Sequence, residues 1–443
     1  MDEINGKQKP KVVEKGVLIP FILVTSLFAL WGFANDITNP MVSAFKKILE
    51  LDNFQASLVQ MAFYGGYGTM ALPAAIFIRK YSYKKGIVLG LVLYSLGALL
   101  FYPAAALEEY IIFLLALYIL TFGLAFLETV ANPYILSMGD ERTATQRLNL
   151  SQAFNPMGAL AGLYVAQTFV LGALQSDDYS AEEYAGLSAS AREAIRTSDL
   201  MVVRDPYVAL GAFLLIVLAI IAFSKMPEKK ETDTSGVLVS IKRIFKKSHF
   251  TGGVIAQTFY VGAQIMCWTY IYQYAETLGI DNQAAVKYAM TALGVFLLGR
   301  WICTFLLRYF SSGKLLAVLS FGAIACTLGA IFIPGMNGLY SLVGISFCMS
   351  LMFPTIYGIA LNGLGDDTKY GSAFLVMAIV GGAILPVLQG MILDFGGKGY
   401  DDVLILGVSE VRFSFILPLL CYVVVAVYGI LSYRKWENKV ETN

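Results

Sequence analysis

The chain has 443 residues, 57% of them hydrophobic and 14% charged, with a net charge of +1 and a mean hydropathy of +0.67. Soluble domains carry about 25% charged residues, so this chain has too little charge to cover a soluble surface. Its near-neutral balance offers nucleic acid no electrostatic attraction. A single histidine and five cysteines without CxxC spacing exclude histidine triads and clustered-histidine metal sites, so no metal or cofactor is expected.

Residues 1–17 read as a lysine-bearing tail (Lys7, Lys9, Lys11, Lys15) with no cleavage pattern behind it. Twelve apolar runs long enough to cross a bilayer follow, at about 18–44, 54–79, 86–106, 110–138, 147–174, 206–225, 250–279, 284–308, 314–334, 338–363, 370–394 and 411–434. Lysine and arginine concentrate in alternate connections: the tail, Arg79 to Lys85, Lys225 to Lys247, and Arg434 to Lys439. The positive-inside rule therefore places both termini in the cytoplasm. The external connection at about 175–205 is acidic and contains Ser180 and Glu183 at capping-box spacing, which predicts a short surface helix within a solvated connector.

The polar stretch 226–249 separates two halves that repeat. "LDNFQA" before span 2 is echoed by "IDNQAA" before span 8, so Asp52-Asn53 matches Asp281-Asn282. "SMGDERT" after span 4 is echoed by "GLGDDTK" after span 10. Two related halves in one membrane chain predict a binding site at their interface near the midplane.

Ionisable groups deep in spans are costly and usually functional, and three occur here. Span 1 contains "LWGFANDITNPM", with Asn35, Asp36 and Asn39 interrupting an apolar run. Span 4 reads "FLETVANPYIL", placing Glu128 and Asn132 four apart on one helix face. Span 8 carries Arg300, expected to be structural and paired with a carboxylate or with carbonyls. In span 5, "RLNLSQAFNPMG" repeats amides at Asn149, Gln152 and Asn155, predicting a stripe along one face. In span 7, Gln257, Gln264 and Trp268 recur at i, i+7 and i+11, again one face. Intramembrane amides also join helices to one another, but aligned amides on several spans of a repeated chain point to a cavity. Asn and Gln offer both donor and acceptor to adjacent hydroxyls. Rings such as Trp268 and Phe296 can cover the C–H face of a sugar. Glu128 has no basic partner in its own segment, which makes it a natural proton carrier.

The blocks "DNFQASLVQMAFYGGYG", "FGLAFLETVANPY", "RLNLSQAFNPMGA", "YVGAQIMCWTYIYQYA" and "DDTKYGSAFLVMAIVGGAILP" together resemble the L-fucose:proton symporter branch of the major facilitator superfamily. The resemblance implies an all-α integral membrane fold with twelve transmembrane helices in two pseudo-symmetric six-helix bundles, at 18–225 and 250–434. The linker 226–249 and the tails 1–17 and 435–443 would be cytoplasmic. It implies uptake of a neutral monosaccharide with a proton by alternating access; a monomer in the plasma (inner) membrane is expected. It further implies that Glu128 couples the proton and that Gln152, Asn155, Gln257, Gln264 and Trp268 meet the sugar. The branch's span-one carboxylate falls on Asn39 here, with Asp36 three residues earlier, so Asp36 is expected to take over that role. A cavity aromatic that is tyrosine in the branch's pattern is Phe353 here. A carrier for galactose or glucose, sodium coupling, or a membrane sugar sensor would share these features.

Overall fold

A computed structural model describes residues 10–49, 51, 53–179, 181–227, 236–280, 282–393 and 404–437. Lys7, Lys9, Asp52, Ser180, Asp281 and Lys439, and the side chains of Asn39, Asn53 and Asn282, lie outside the described residues. Among them, eleven helices are long and apolar enough to cross a membrane. The seventh expected span is also helical, Ser248–Thr269 followed by Ile271–Glu276. It stands apart from the eleven because Gln257 and Gln264 interrupt its apolar character. A helix satisfies its own backbone hydrogen bonds, which is why lipid admits this element and excludes irregular chain.

Span 1 runs Leu18–Ile48, span 2 Asn53–Lys80 and span 4 Tyr110–Ser137, each unbroken although Pro40, Pro73 and Pro133 fall inside them. Other spans are divided. Span 3 is Tyr83–Leu99 plus Phe101–Leu107, and span 5 is Ala144–Gln152 plus Asn155–Val165. Span 10 is Met336–Met349 plus Met352–Leu361, and span 11 is Thr368–Met377 plus Gly381–Leu393. Spans 8, 9 and 12 are Asn282–Leu306, Ser312–Phe332 and Ile416–Leu431.

Two departures from the expected outline are informative. Span 6 is a 35-residue helix, Ala189–Phe223, so most of the expected solvated connector is in fact its first turns. Its N-terminus is capped by Ser188, whose hydroxyl accepts from the Ala191 N–H, and a separate helix covers Ala181–Gly186. The fully buried Asp199 accepts from the Gln175 and Ser176 N–H groups at 2.8 and 3.0 Å, folding the connector back on span 6. Within the expected cytoplasmic linker, Val237–Phe245 is a helix that buries Ser240 and Ile244.

Two bundles result, each with its own core. The first core joins Phe28, Trp31, Tyr94, Leu124 and Tyr207 of spans 1–6; the second joins Tyr260, Tyr274, Met349 and Tyr422 of spans 7–12. Spans 1 and 5 touch backbone to backbone: a Cβ on Gly32 would overlap the Asn155 carbonyl oxygen, and one on Gly158 that of Ala29. Small residues permit such approach in membrane helices. Here it brings Asn35 and Asn155 to the same wall.

The bundles meet at the end carrying residues 79–85, 138–143 and 362–369. Tyr357, Tyr370 and Ala373 of spans 10 and 11 sit in the first bundle's core. Lys369 Nζ donates to the Ile78 carbonyl at 2.9 Å, and Ser372 Oγ to the Thr129 carbonyl at 2.6 Å. Asn149 Nδ2 donates to Thr355 Oγ1 at 3.2 Å, and Arg243 pairs bidentately with Asp367. At the opposite end the bundles part around a vestibule of about 940 Å³.

Candidate functional site

The vestibule is lined by spans 1, 2, 5, 7, 8 and 11, through residues that include Asp36, Gly65, Gln167, Trp268 and Leu293. Behind it, toward the closed end, lies a second compartment of about 200 Å³. Asp36 and Trp268 border both spaces, so the span-one carboxylate stands at their junction.

The inner compartment gathers most of the expected residues on one surface. Asn35, Glu128, Gln152, Asn155, Gln264, Trp268, Phe296, Arg300 and Phe353 all line it. The first bundle supplies the carboxylates and most amides; the second supplies Gln264, the guanidinium and the rings of Trp268, Phe296 and Phe353. Trp268 and Phe296 meet edge to face at 5.1 Å, leaving ring surface toward the space. The carboxylates of Glu128 and Asp36 form no hydrogen bond among the described residues, so both remain available to a ligand or a proton.

Three expectations need correction. The span-five amides are not one continuous stripe. The helix breaks at Ala153–Phe154, and only Gln152 and Asn155 face the cavity, while Asn149 bonds across to Thr355. Spacing by three already drifts about 60° per step around a 3.6-residue turn, and the break completes the divergence. Gln257 shares the azimuth of Gln264 but lies about 10 Å further along the helix, fully buried toward the closed end and away from the cavity. Asn132 is also fully buried and does not reach the cavity. It donates to the Glu128 carbonyl at 3.0 Å and accepts from Gln152 Nε2 at 2.8 Å, fixing the cavity-facing amide from behind.

Arg300 is 3% exposed. Its Nη1 donates to the Gln152 carbonyl at 3.4 Å, its guanidinium lies 4.9 Å from the Phe296 ring centroid, and it pairs with no carboxylate among the described residues. The carbonyl half of its expected pairing is therefore present. It also forms part of the cavity wall.

Sequence reading overlooked an aromatic group on the first bundle. Trp31 Nε1 donates to Tyr67 OH at 2.9 Å, and Tyr67 OH donates to Asn35 Oδ1 at 3.5 Å. Phe28, stacked on Trp31 at 5.4 Å, completes the wall, and its carbonyl accepts from Asn155 Nδ2 at 3.3 Å. The available signal was spacing: Trp31 lies four residues before Asn35, one turn along the same face.

A multi-pass helical membrane protein with its cavity between two six-helix bundles, open at one end, defines the class. The family model of the Major Facilitator Superfamily matches residues 24–386, and the chain belongs to that superfamily. It is 52% identical to the L-fucose-proton symporter of Haemophilus influenzae, over 96% of this chain and 99% of the relative. It is 36% identical to the L-fucose-proton symporter of Escherichia coli, over 97% and 95%. A crystal structure of the major facilitator transporter FucP in the outward conformation superposes with a TM-score of 0.85 at 34% identity, covering 94% of this chain and 99% of that one.

Proposed function

We propose that this protein is a secondary active transporter, not an enzyme, that takes up L-fucose together with a proton. The observation that carries the reading is the convergence of Glu128 with the amides of Asn35, Gln152, Asn155 and Gln264 and the rings of Trp31, Trp268 and Phe296 on one compartment. Amides meet vicinal hydroxyls with donor and acceptor together, and rings cover the apolar face that a deoxy sugar presents. The two curated symporters, similar over nearly the whole chain, support the sugar and the ion.

Glu128 exchanges the proton within the sugar site, and Asp36 relays it at the mouth. Phe353 bounds the sugar without a hydroxyl of its own. The closed end faces the cytoplasm, as the lysines and arginines of its connections indicate, so the vestibule opens outward. The bundles 18–225 and 250–434 rock about this cavity, tethered by the linker 226–249, in a monomer of the inner membrane.

Proteoliposome uptake of labelled L-fucose, with acid outside and inside in turn, tests this. Accumulation should follow the proton gradient, and unlabelled L-fucose should compete better than galactose or glucose. Preferential competition by the hexoses, dependence on sodium in place of protons, or binding without flux would each replace the reading with another.

A further inference from the structure

Away from the cavity, span 12 is preceded by a short helix, Glu410–Ser414, whose first residue is fully buried. Among the described residues, both carboxylate oxygens of Glu410 lack a hydrogen-bond partner, including the N–H groups of its own helix. One turn on, Ser414 Oγ donates to the Val411 carbonyl at 2.7 Å, so its lone pairs must receive a donor. Gln389 Nε2 supplies it at 2.9 Å. That bond fixes the amide's orientation, and the fully buried Gln389 is left with an Oε1 that has no partner among the described residues. Three orphaned acceptor oxygens thus lie on two side chains with no exposure, Glu410 and the Gln389 of span 11 that bonds Ser414 one turn beyond it.

Buried acceptors without donors call for a cation. The neighbouring guanidinium, Arg412, leaves its Nε unpartnered, engages the Tyr274 hydroxyl and forms no ion pair with Glu410 among the described residues. A single carboxylate is neutralised by one positive charge; a divalent ion would leave a net charge buried. Oxygen-only donors select a hard ion, and close packing around three fully buried side chains favours a small one. Span 11 starts at the closed end, so this site, where span 11 ends and span 12 begins, lies at the vestibule end of the second bundle.

We propose that Glu410 and Gln389 Oε1, beside Ser414, bind sodium and fasten the end of span 11 to the short helix that leads into span 12. The site is distinct from the sugar cavity and does not depend on the sugar or on proton coupling. The test is thermal unfolding of the full-length purified protein in sodium chloride against choline chloride at equal ionic strength, with radiolabelled sodium binding alongside. Sodium should raise the midpoint by about 2–4 °C. The rise should vanish in Glu410→Gln and persist in Glu128→Gln. Gln389→Leu, which keeps the carboxylate, should weaken sodium binding about tenfold. No sodium binding by the unaltered protein, an equal rise with potassium, a rise retained by Glu410→Gln, or one lost in Glu128→Gln would each overturn the proposal.

Discussion

Lys369 donates from Nζ to the carbonyl oxygen of Ile78 at 2.9 Å, joining residues 291 apart in the chain and belonging to different bundles. Lys369 is 6% exposed, and its ammonium lies 4.8 Å from the Tyr83 ring centroid. A cation at the end of span 2 also meets the negative end of its helix dipole. Nothing on span 11 would reach Ile78 if the closed end parted, so this bond belongs to one conformation only. A charge-assisted hydrogen bond contributes about 1.5–3 kcal/mol. Lys369→Met should therefore shift the equilibrium away from the vestibule-open state by about tenfold to a hundredfold. Cysteine accessibility would read it: a probe at Met290, in the vestibule, should label more slowly and one at Thr145, on the closed end, faster. Unchanged labelling at both would refute the lock.

Glu128 and Asp36 occupy different depths of one pathway, which separates their expected phenotypes. Glu128→Gln should abolish gradient-driven accumulation while sugar counterflow persists, because the amide keeps the size of the side chain and loses its proton exchange. Asp36→Asn should flatten the dependence of uptake on external pH. Uptake by Asp36→Asn with an unaltered pH profile would leave Glu128 as the lone coupling group.

Asn132 never touches the cavity, yet it holds Gln152 at 2.8 Å. Asn132→Ala leaves the buried Gln152 amide proton unpaired and frees the amide to rotate, at about 1–3 kcal/mol. Sugar affinity, followed through the quenching of Trp31 and Trp268, should weaken about tenfold with proton coupling retained. Full affinity would show that the cavity orients Gln152 without help.

Asp140 lies in the connection between spans 4 and 5, where the Arg142 side chain and backbone N–H hold its carboxyl down at about 2 against an ordinary 3.8. A depressed carboxylate contributes its stability above the ordinary value and loses it only as pH falls through the lower one. The pair therefore stays intact across the whole range in which uptake can be measured. Asp140→Asn should lower the thermal midpoint by the same amount at pH of about 5 and about 8. A penalty that grows between these two pH values would contradict the assignment.

The twelve spans and the polar positions within them were legible because lipid is a simple solvent. It excludes charge, demands internal backbone hydrogen bonding and so writes length and hydropathy directly into the chain. Helical period also placed Gln264 and Trp268 on one wall, as the structure has them. Period gives azimuth around a helix, however, and neither depth along it nor what stands opposite.

Depth and partners decided the rest. Gln257 has the right azimuth and the wrong height; Asn132 supports the wall without forming it; Asn149 turns to Thr355 because span 5 breaks beside it. Trp31 and Tyr67 became one unit only when spans 1 and 2 were brought together. The contact of Lys369 with Ile78 joins segments that no local pattern relates. Sequence by itself determined that polar groups meet inside a two-bundle membrane protein, since burying them in lipid has no other stable outcome. Which of them face the cavity, and which end of it is closed, depended on inter-helix packing, where close approach at Gly32 and Gly158 sets the distances that hydrogen bonds then exploit.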